Sequence, residues 1–179
     1  MYHLVTDRLV LTLSNTKLTE GVWRFHNENK DAFADTEPHR PADFYTWKGV
    51  RANLKYDDKL SRKCEEFRFW IQAKGSREII GTVCISSILF GSVKSCFLSY
   101  KVAEKHQGKG YASEAVKEII HFAFTVLQLH RIESYVMPRN QKSLRVMEKL
   151  GFMPEGISRR CLEVNGIWED HVRFSLLNE

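Results

Sequence analysis

The segment VAEKHQGKGYA, residues 102–112, connects a predicted strand over residues 93–102 to the clearest predicted helix of the chain, which begins at Ala112. Gly108 and Gly110 allow the backbone to turn tightly and to approach a ligand without a Cβ atom in the way. The helix that follows presents free N–H groups and the positive end of its dipole at its first turn. The segment therefore predicts a binding site for phosphate groups at the start of this helix.

Two familiar phosphate-binding motifs do not fit this segment. The dinucleotide-binding fingerprint requires a third glycine, at the position that Ser113 occupies here. The P-loop requires a lysine and then a serine or threonine after its last glycine, whereas Tyr111 follows Gly110. A flexible loop without a ligand remains the alternative interpretation of the local pattern.

The helix after the glycines is predicted from the spacing of its apolar residues, which follows the i, i+3, i+4, i+7 pattern of one helical face. These residues are Ala115, Val116, Ile119, Ile120, Ala123, Val126 and Leu127. A strand over 131–137 follows. The strand–helix–strand unit over 93–137 is expected to form a right-handed parallel crossover.

The other elements are predicted from local patterns. Strands are expected where β-branched and aromatic residues concentrate or alternate, at 8–13, 66–73, 78–89, 157–164 and 167–176. Helices are expected at 16–30 and from 41 to about 62, separated by a loop with two prolines. Asn140 is a good N-cap for a short helix that ends at Gly151. Asn165-Gly166 predicts a tight hairpin, and the whole pattern indicates the α/β class.

Length and composition indicate one globular domain over residues 1–179. The chain has 27 basic and 22 acidic residues, a formal net charge of +5, and 43% hydrophobic residues. The positive charge weakly favours an anionic ligand or partner. No run of about 18 apolar residues predicts a membrane-spanning helix. Asp7 and Arg8 argue against an N-terminal signal peptide.

The cysteines and histidines show none of the spacings of a metal site or a disulfide framework. Cys64, Cys84, Cys96 and Cys161 contain no CxxC pair, and the seven histidines contain no HExxH pair. We therefore expect reduced thiols, no metal and a cytoplasmic location.

The pattern Gln107-x-x-Gly110-x-Ala112 resembles the pyrophosphate-binding signature of the GNAT acetyltransferases, Gln/Arg-x-x-Gly-x-Gly/Ala. A second GNAT segment is similar to Asn140-x-x-Ser143 together with the EKLGF run shortly after it. The sequence thus resembles this family in both of the segments that it uses for its coenzyme.

Further segments resemble the RimJ/RimL-type branch of the family, the ribosomal-protein-alanine N-acetyltransferases, and more closely its RimJ side. They are the TDRL opening at 6–9, the MPRN run at 137–140 and the stretch 155–172. The resemblance is strong over 98–172 and weak over 18–63.

The resemblance implies a GNAT-type fold and an acetyltransferase activity. The fold would be a mixed, mostly antiparallel sheet with a central parallel βαβ unit, helices on both faces and a C-terminal β-hairpin. The activity would be transfer of an acetyl group from acetyl-CoA to a primary amine, with the N-terminal amine of a ribosomal protein as the leading acceptor. The resemblance leaves open whether the chain is a monomer or a homodimer.

The resemblance also implies which residues hold the coenzyme. Backbone groups of Tyr100, Lys101 and Val102 would pair with the pantetheine arm, as an open sheet edge can. Asn140 would hydrogen-bond the pantetheine amides, in addition to or instead of capping its helix. The pyrophosphate would lie on the N–H groups of Gln107, Gly108, Lys109, Gly110, Tyr111 and Ala112.

The proton donor to the departing thiolate differs from that of much of the superfamily. There, a tyrosine seven residues after the asparagine serves as the acid, and this position is Met147 here. The RimL-type proteins use a serine three residues after the asparagine, which Ser143 matches. Ser143 is therefore the candidate thiolate partner, and its alternative is an ordinary serine of the first helical turn.

The general base is the least defined part of the predicted site. By hairpin register, the glutamate of RimL-type proteins corresponds to Leu162, and Glu163 is expected to point to the opposite face. Glu37 lies where RimJ-type sequences have Trp-Glu-Pro, with Thr36 in place of the tryptophan. Glu37 is the candidate base, against the alternative of a solvated loop carboxylate. Asp170 is expected either to position substrate or to pair with an arginine.

Three other functions remain open at this stage. The chain could acetylate a small-molecule amine, or it could bind coenzyme A as a regulator with weak or no turnover. A basic nucleic-acid-binding domain is a third class, although no basic stripe interleaved with aromatic residues predicts a dedicated nucleic-acid surface.

Overall fold

The computed structural model describes residues 2–179. Its strands are β1 (His3–Val5), β2 (Leu9–Leu13), β3 (Phe67–Ala73), β4 (Ile79–Leu89), β5 (Ser95–Val102), β6 (Arg131–Val136), β7 (Met153–Val164) and β8 (Ile167–Leu177). Its helices are α1 (Thr19–Glu28), α2 (Lys30–Phe33), α3 (Trp47–Arg62), α4 (Tyr111–His121) and α5 (Gln141–Lys149). Short 3₁₀ turns lie at Thr16–Leu18, Ala42–Tyr45 and Glu104–His106.

The eight strands form one sheet in the order β1-β2-β3-β4-β5-β6-β8-β7. Within the described residues, β5 and β6 form the only parallel pair, and the other neighbours are antiparallel. α4 connects the two parallel strands. The predicted α/β class, the central parallel unit and the mostly antiparallel sheet are therefore confirmed.

The sheet buries a separate apolar cluster on each face. α4 and α5 contribute Ile119 and Met147 to the larger cluster, which also contains Phe69 of β3. On the opposite face, Phe25 of α1 packs in a smaller cluster with Trp70. Phe69 and Trp70 are neighbours in β3, and the alternation of a strand sends them to opposite faces. Helices thus cover both faces, as predicted.

The C-terminal hairpin and the helix before it also agree with the prediction. Asn165 (φ 47°) and Gly166 (φ 80°) connect β7 to β8 in the left-handed conformation that a tight hairpin turn requires. Gly151 (φ 82°) ends α5, as expected of a left-handed C-cap.

The N-terminal third differs from the prediction in its boundaries. The expected helix over 16–30 is divided into a 3₁₀ turn, α1 and α2. The helix expected from residue 41 begins instead at Trp47, because Thr46 is extended and its hydroxyl accepts a hydrogen bond from the N–H of Gly49 at 3.0 Å. The short strand β1 was not predicted. α4 is α-helical only to His121, and Phe122–Val126 continue it as a π turn.

Across residues 2–179, no helix has the length and apolar character needed to span a bilayer. The same residues bring no three His, Cys, Asp or Glu side chains together in a way that could bind a metal ion.

Candidate active site

The sheet opens between β5 and β6. Their parallel pairing covers Ser95–Phe97 against Arg131–Glu133 and ends there, although both strands continue. At the base of the opening, the Ser134 hydroxyl donates a hydrogen bond to the carbonyl of Leu98 at 3.1 Å. Beyond it, Leu98–Val102 no longer pair with β6. The backbone groups of Tyr100 and the N–H of Val102 therefore face the opening without a partner strand, whereas Lys101, between them, directs its backbone groups toward β4.

The glycine loop lies at the end of β5, where the sequence predicts a phosphate site. Gly108 (φ 74°) and Gly110 (φ 80°) both adopt the left-handed conformation that L-residues rarely adopt. Gly110 is the N-cap of α4, and it has no side chain with which to satisfy the first N–H groups of the helix. The free N–H groups and the helix dipole make this turn suitable for an anionic group.

The turn between β1 and β2 forms a clamp that holds this loop in place, a role that was not predicted from the sequence. The Glu114 carboxylate accepts hydrogen bonds from the Thr6 hydroxyl at 2.6 Å, from the Arg8 N–H at 2.8 Å and from Arg8 Nε at 2.7 Å. Arg8 Nη1 also donates to the carbonyl of Lys109 at 3.0 Å. Its guanidinium lies 4.9 Å from the ring centroid of Tyr111. The Thr-x-Arg spacing of the TDRL opening was the available signal.

The electrostatics of Glu114 agree with this geometry. Burial favours its neutral form, but hydrogen bonds from Thr6 and Arg8 to the carboxylate outweigh that effect and hold the pKa of Glu114 below its usual value. The carboxylate thus remains charged and bound to Arg8 at neutral pH.

The Gln107 side chain connects the two sides of the opening. Its Nε2 donates to the carbonyl of Val102 at 3.0 Å, and its Oε1 accepts from Nζ of Lys142 at 2.9 Å. Lys142 belongs to α5, on the β6 side. Sequence reasoning assigned only the backbone of Gln107, because a contact across the opening depends on how the strands separate.

The N-terminal end of α5 lines the β6 side of the opening between β5 and β6. Asn140 Oδ1 accepts a hydrogen bond from the N–H of Ser143 at 3.1 Å, so the helix-cap role of Asn140 is observed directly. A cavity of about 360 Å³ lies here, and three of its lining residues are the cations Arg139, Lys142 and Arg145. A cavity with this lining favours an anionic ligand.

An unusual hydroxyl group is buried between β5 and α5. Met147 is fully buried in the larger apolar cluster and brings no polar atom to the site. Tyr100 of β5 packs against the same cluster, and the Ser143 hydroxyl is close enough to its phenol to lower the phenol's pKa. Among residues 2–179, the Tyr100 hydroxyl is the one buried side-chain N or O atom that has no hydrogen-bond partner.

A second cavity, of about 340 Å³, lies on the opposite face of β5. Its lining includes aromatic residues of α2 and the following loop (Phe33, Phe44 and Tyr45) together with His26 of α1. Lys101 follows Tyr100 in the strand, and its side chain therefore points into this cavity and not toward α5.

Glu37 lines the same cavity and forms an ion pair with Lys101. Both side chains are largely buried, with 19% and 18% exposure. Arg40 Nε lies 3.9 Å from the second carboxylate oxygen. The carbonyl of Glu37 accepts a hydrogen bond from the N–H of Asn165 at 3.1 Å, which attaches this loop to the β7–β8 turn. Glu37 is thus a cavity carboxylate and not a solvated one.

Burial sets the protonation behaviour of the other groups in this cavity. The pKa of Lys101 is lowered because burial disfavours its charge more than Glu37 favours it. The pKa of His26 is lowered from 6.5 to about 3 by burial, assisted by the positive charges of Lys101 and Arg40. His26 is therefore neutral at physiological pH.

Two carboxylates of β8 in the hairpin, Asp170 and Glu169, have structural partners. Asp170 accepts a hydrogen bond from the N–H of Arg160 at 2.8 Å, where β7 is irregular and Arg160 has a positive φ of 44°. Glu169 pairs with Arg139 at 2.7 Å. Leu162 and Glu163 are exposed on the hairpin.

The open edge of β5 and the glycine turn at the start of α4 lie where the sequence resemblance places the two parts of the coenzyme site. In agreement, the acetyltransferase (GNAT) domain family matches residues 8–153. The chain belongs to the GNAT family and is an N-acetyltransferase.

Two relatives from bacteria illustrate the sequence similarity. The chain is 42% identical over 153 residues to the probable N-acetyltransferase YjcK of Bacillus subtilis, which covers 85% of this chain and 84% of that protein. It is 32% identical over 176 residues to the [ribosomal protein uS5]-alanine N-acetyltransferase of Escherichia coli, which covers 97% and 89%.

Two solved structures have the same fold over nearly the whole chain. The ribosomal-protein-S5-alanine acetyltransferase of Vibrio fischeri superimposes with a TM-score of 0.95 at 30% identity, covering 100% of this chain and 98% of that one. RimJ of Mycobacterium smegmatis, in complex with CoA-disulfide, superimposes with a TM-score of 0.87 at 25% identity, covering 99% and 90%. These similarities confirm the resemblance to the RimJ/RimL-type proteins and support acetyl-CoA as the cosubstrate.

Proposed function

We propose that this protein transfers the acetyl group of acetyl-CoA to the N-terminal amine of a protein, with a ribosomal protein as the leading acceptor. One observation supports the proposal most directly. The glycine loop lies at the end of β5 and the Glu37 cavity lies on one face of the same strand, so an acetyl donor and an amine acceptor can bind next to each other on β5. The names of the Escherichia coli and Vibrio fischeri relatives support this class of acceptor.

For the coenzyme, we assign the residues that the sequence predicts. The N–H groups of residues 107–112 would bind the pyrophosphate, and the free edge of β5, at Tyr100 and Val102 on either side of Lys101, would pair with the pantetheine arm. Asn140 would reach a pantetheine amide with its N–H₂ group, because its Oδ1 is used by the helix cap. The cations of α5 favour the phosphate charge.

For the chemistry, we assign Glu37 as the base and Ser143 as the thiolate partner. Glu37 would take a proton from the acceptor ammonium and release a neutral amine. The amine nitrogen then forms a bond to the acetyl carbon while the carbon–sulfur bond breaks. The sulfur keeps the electron pair and receives a hydrogen bond from Ser143. The acceptor loses two protons: the first passes through Glu37 to solvent, and the second, lost from nitrogen as the amide forms, is matched by the one that the thiolate takes up, so the step is balanced.

The test is an acetylation assay with acceptors of different classes. Purified protein and acetyl-CoA are incubated with a peptide that begins with alanine, the same peptide acetylated at its N-terminus, spermidine or no acceptor. Release of free thiol and the mass of each acceptor are measured. We expect acetylation of the free-amine peptide alone. Turnover with spermidine but not with the peptide would identify a small-molecule acetyltransferase instead.

A coenzyme-A-binding regulator is the second candidate, because Met147 provides no phenol and Glu37 is already paired with Lys101. Calorimetry distinguishes the two functions. Tight binding of acetyl-CoA without thiol release for any acceptor would favour the regulator.

Three properties stay predictions within this proposal. They are a single domain over residues 1–179, a monomeric or homodimeric state, and a cytoplasmic location. Light scattering of the purified protein tests the oligomeric state.

A further inference from the structure

The Tyr100 hydroxyl needs an explanation, because buried polar groups in folded proteins nearly always have hydrogen-bond partners. Its atom is inaccessible to solvent and has no partner within residues 2–179. The ring packs against the larger apolar cluster, so the position would accept phenylalanine for packing purposes. A hydroxyl that packing does not require suggests a function for its proton.

The Ser143 hydroxyl, the proposed thiolate partner, affects the pKa of this phenol, although the two side chains form no hydrogen bond in the structure. Burial is the larger effect on the Tyr100 phenol and raises its pKa, whereas the nearby Ser143 hydroxyl lowers it. The phenol is therefore protonated at neutral pH and can act as a donor. Ser143 lies in the first turn of α5, and its N–H is held by Asn140 at 3.1 Å, so the backbone that carries the serine is fixed.

The topology explains why these two side chains meet. β5 separates from β6 after Phe97, so Tyr100 lies at the opening, on the face that α5 covers. Lys101, the next residue, points to the acceptor cavity on the other face.

We propose that Tyr100 is a positioning residue for acetyl transfer, whose phenol donates a hydrogen bond to Ser143 Oγ and so directs the serine proton to the sulfur of coenzyme A. The inference rests on the proposed function. A serine hydroxyl has one proton and two acceptor lone pairs. If Tyr100 occupies a lone pair, the proton of Ser143 is left for the departing thiolate. Hydrogen bonds at active sites are often poorly aligned without substrate and become shorter in the loaded complex.

No net proton transfer from Tyr100 is needed. The carbon–sulfur bond breaks, the sulfur takes the electron pair, and the Ser143 hydroxyl stabilises that charge while Tyr100 stabilises the partial charge that develops on Oγ. Both hydroxyls keep their protons at the end of the step. Together they perform the task that a phenol at position 147 performs in much of the superfamily.

The first experiment compares Tyr100→Phe with the wild-type enzyme and with Tyr56→Phe, a control at an exposed tyrosine of α3. We expect kcat to fall about 3- to 10-fold, the range for one neutral hydrogen bond, with little change in KM for acetyl-CoA. The melting temperature should stay equal or rise, because an unpaired buried hydroxyl is removed. Equal kcat in Tyr100→Phe and wild type would overturn the inference.

The second experiment separates positioning from a structural role. In a double-mutant cycle, Tyr100→Phe should have no further effect on kcat once Ser143 is replaced by alanine. Additive effects would show that Tyr100 does not act through Ser143 and would contradict the proposal.

A third measurement does not depend on turnover, so it distinguishes a wrong inference from a wrong function. The thiol of bound coenzyme A is titrated by the ultraviolet absorbance of its thiolate. The wild-type protein should lower the pKa of that thiol more than Tyr100→Phe does. Identical thiol titrations in both proteins would overturn the role of Tyr100 even if the wild type acetylates its acceptor.

Discussion

The Glu37 carboxylate lies near two cationic side chains, and these affect how it could act as the proposed base. Lys101 forms an ion pair with one oxygen, and Arg40 lies 3.9 Å from the other. An acceptor ammonium must join or replace these partners to reach the carboxylate. Burial is the main cause of the lowered pKa of Lys101. Its ammonium therefore loses a proton more readily than the ammonium of an exposed lysine.

The first prediction tests Glu37. Glu37→Gln keeps the shape of the side chain but removes the base, so we expect kcat to fall about 100-fold, the lower part of the range for general base catalysis. Acetyl-CoA affinity, measured by calorimetry, should be unchanged. Glu163→Gln on the exposed hairpin is the matched control. A kcat equal to that of the control would exclude Glu37 as the base.

The second prediction concerns the glycine loop. Gly110→Asp should weaken acetyl-CoA binding by at least about 2 kcal/mol, because it puts a charge beside the proposed pyrophosphate site. Gly91→Asp is a strict control, since Gly91 has a similar positive φ of 73° and open space around it. Both variants carry a similar strain from the positive φ, and a Cβ at position 110 would also lie 3.3 Å from Arg8 Nη2. Equal affinities in the two variants would mean that residues 107–112 do not bind the coenzyme.

The third prediction follows from His26. Its pKa is about 3 in the folded protein and 6.5 in the unfolded chain, because burial opposes its charge. Below pH 6.5 only the unfolded state takes up this proton, so the free energy of unfolding falls as the pH falls toward 3. The slope approaches about 1.4 kcal/mol per pH unit.

Denaturant unfolding between pH 7 and 5 tests this slope. His26→Gln should reduce it, whereas the exposed His121→Gln should leave it unchanged. The same slope in wild type and His26→Gln would show that His26 is not buried in neutral form.

At the scale of elements, β5 serves two sites because its side chains alternate. Tyr100 packs on the face that α5 covers, and Lys101 faces the cavity with Glu37. Both residues were predicted to bind the coenzyme through backbone groups, which any strand edge offers. The tasks of their side chains depend on what packs on each face of the sheet, and a strand pattern does not contain that information.

The fourth prediction concerns the clamp between the N-terminal segment and α4. Arg8→Ala removes the ion pair with Glu114 and the hydrogen bond to the carbonyl of Lys109. We expect KM for acetyl-CoA to rise by a factor that corresponds to about 0.5–2 kcal/mol, with kcat nearly unchanged, because the loop loses its support. Arg24→Ala is the control, as Arg24 makes an exposed i,i+4 pair with Glu20, away from the loop. An unchanged KM would show that the loop holds its conformation without Arg8.

For the whole molecule, the fifth prediction links coenzyme binding to stability. A ligand that binds only the folded state at 100 times its Kd adds about 2.7 kcal/mol to the free energy of unfolding. Coenzyme A should therefore raise the melting temperature of the wild-type protein in a dose-dependent manner. Gly110→Asp should show little of this shift at the same concentration. A wild-type melting temperature that does not respond to coenzyme A would contradict the proposed site.

The elements that sequence patterns predicted correctly are those encoded by neighbouring residues. The apolar spacing of α4, the left-handed glycines before it and the Asn165-Gly166 turn each depend on a few adjacent positions, so the central unit and the hairpin could be recognised. The helices before β3 were less well placed, because their ends depend on local caps such as Thr46.

The separation of β5 from β6, and the contacts that it permits, came from the tertiary structure. Arg8 meets Glu114 across 106 residues of sequence, and Lys101 meets Glu37 across 64. Tyr100 reaches Ser143 because a strand and a helix far apart in the chain pack against each other. The sequence therefore specified a GNAT-type coenzyme loop, since its glycines and helix start are local. Long-range packing specified which side chains meet around it, since that depends on which faces of distant elements are buried together.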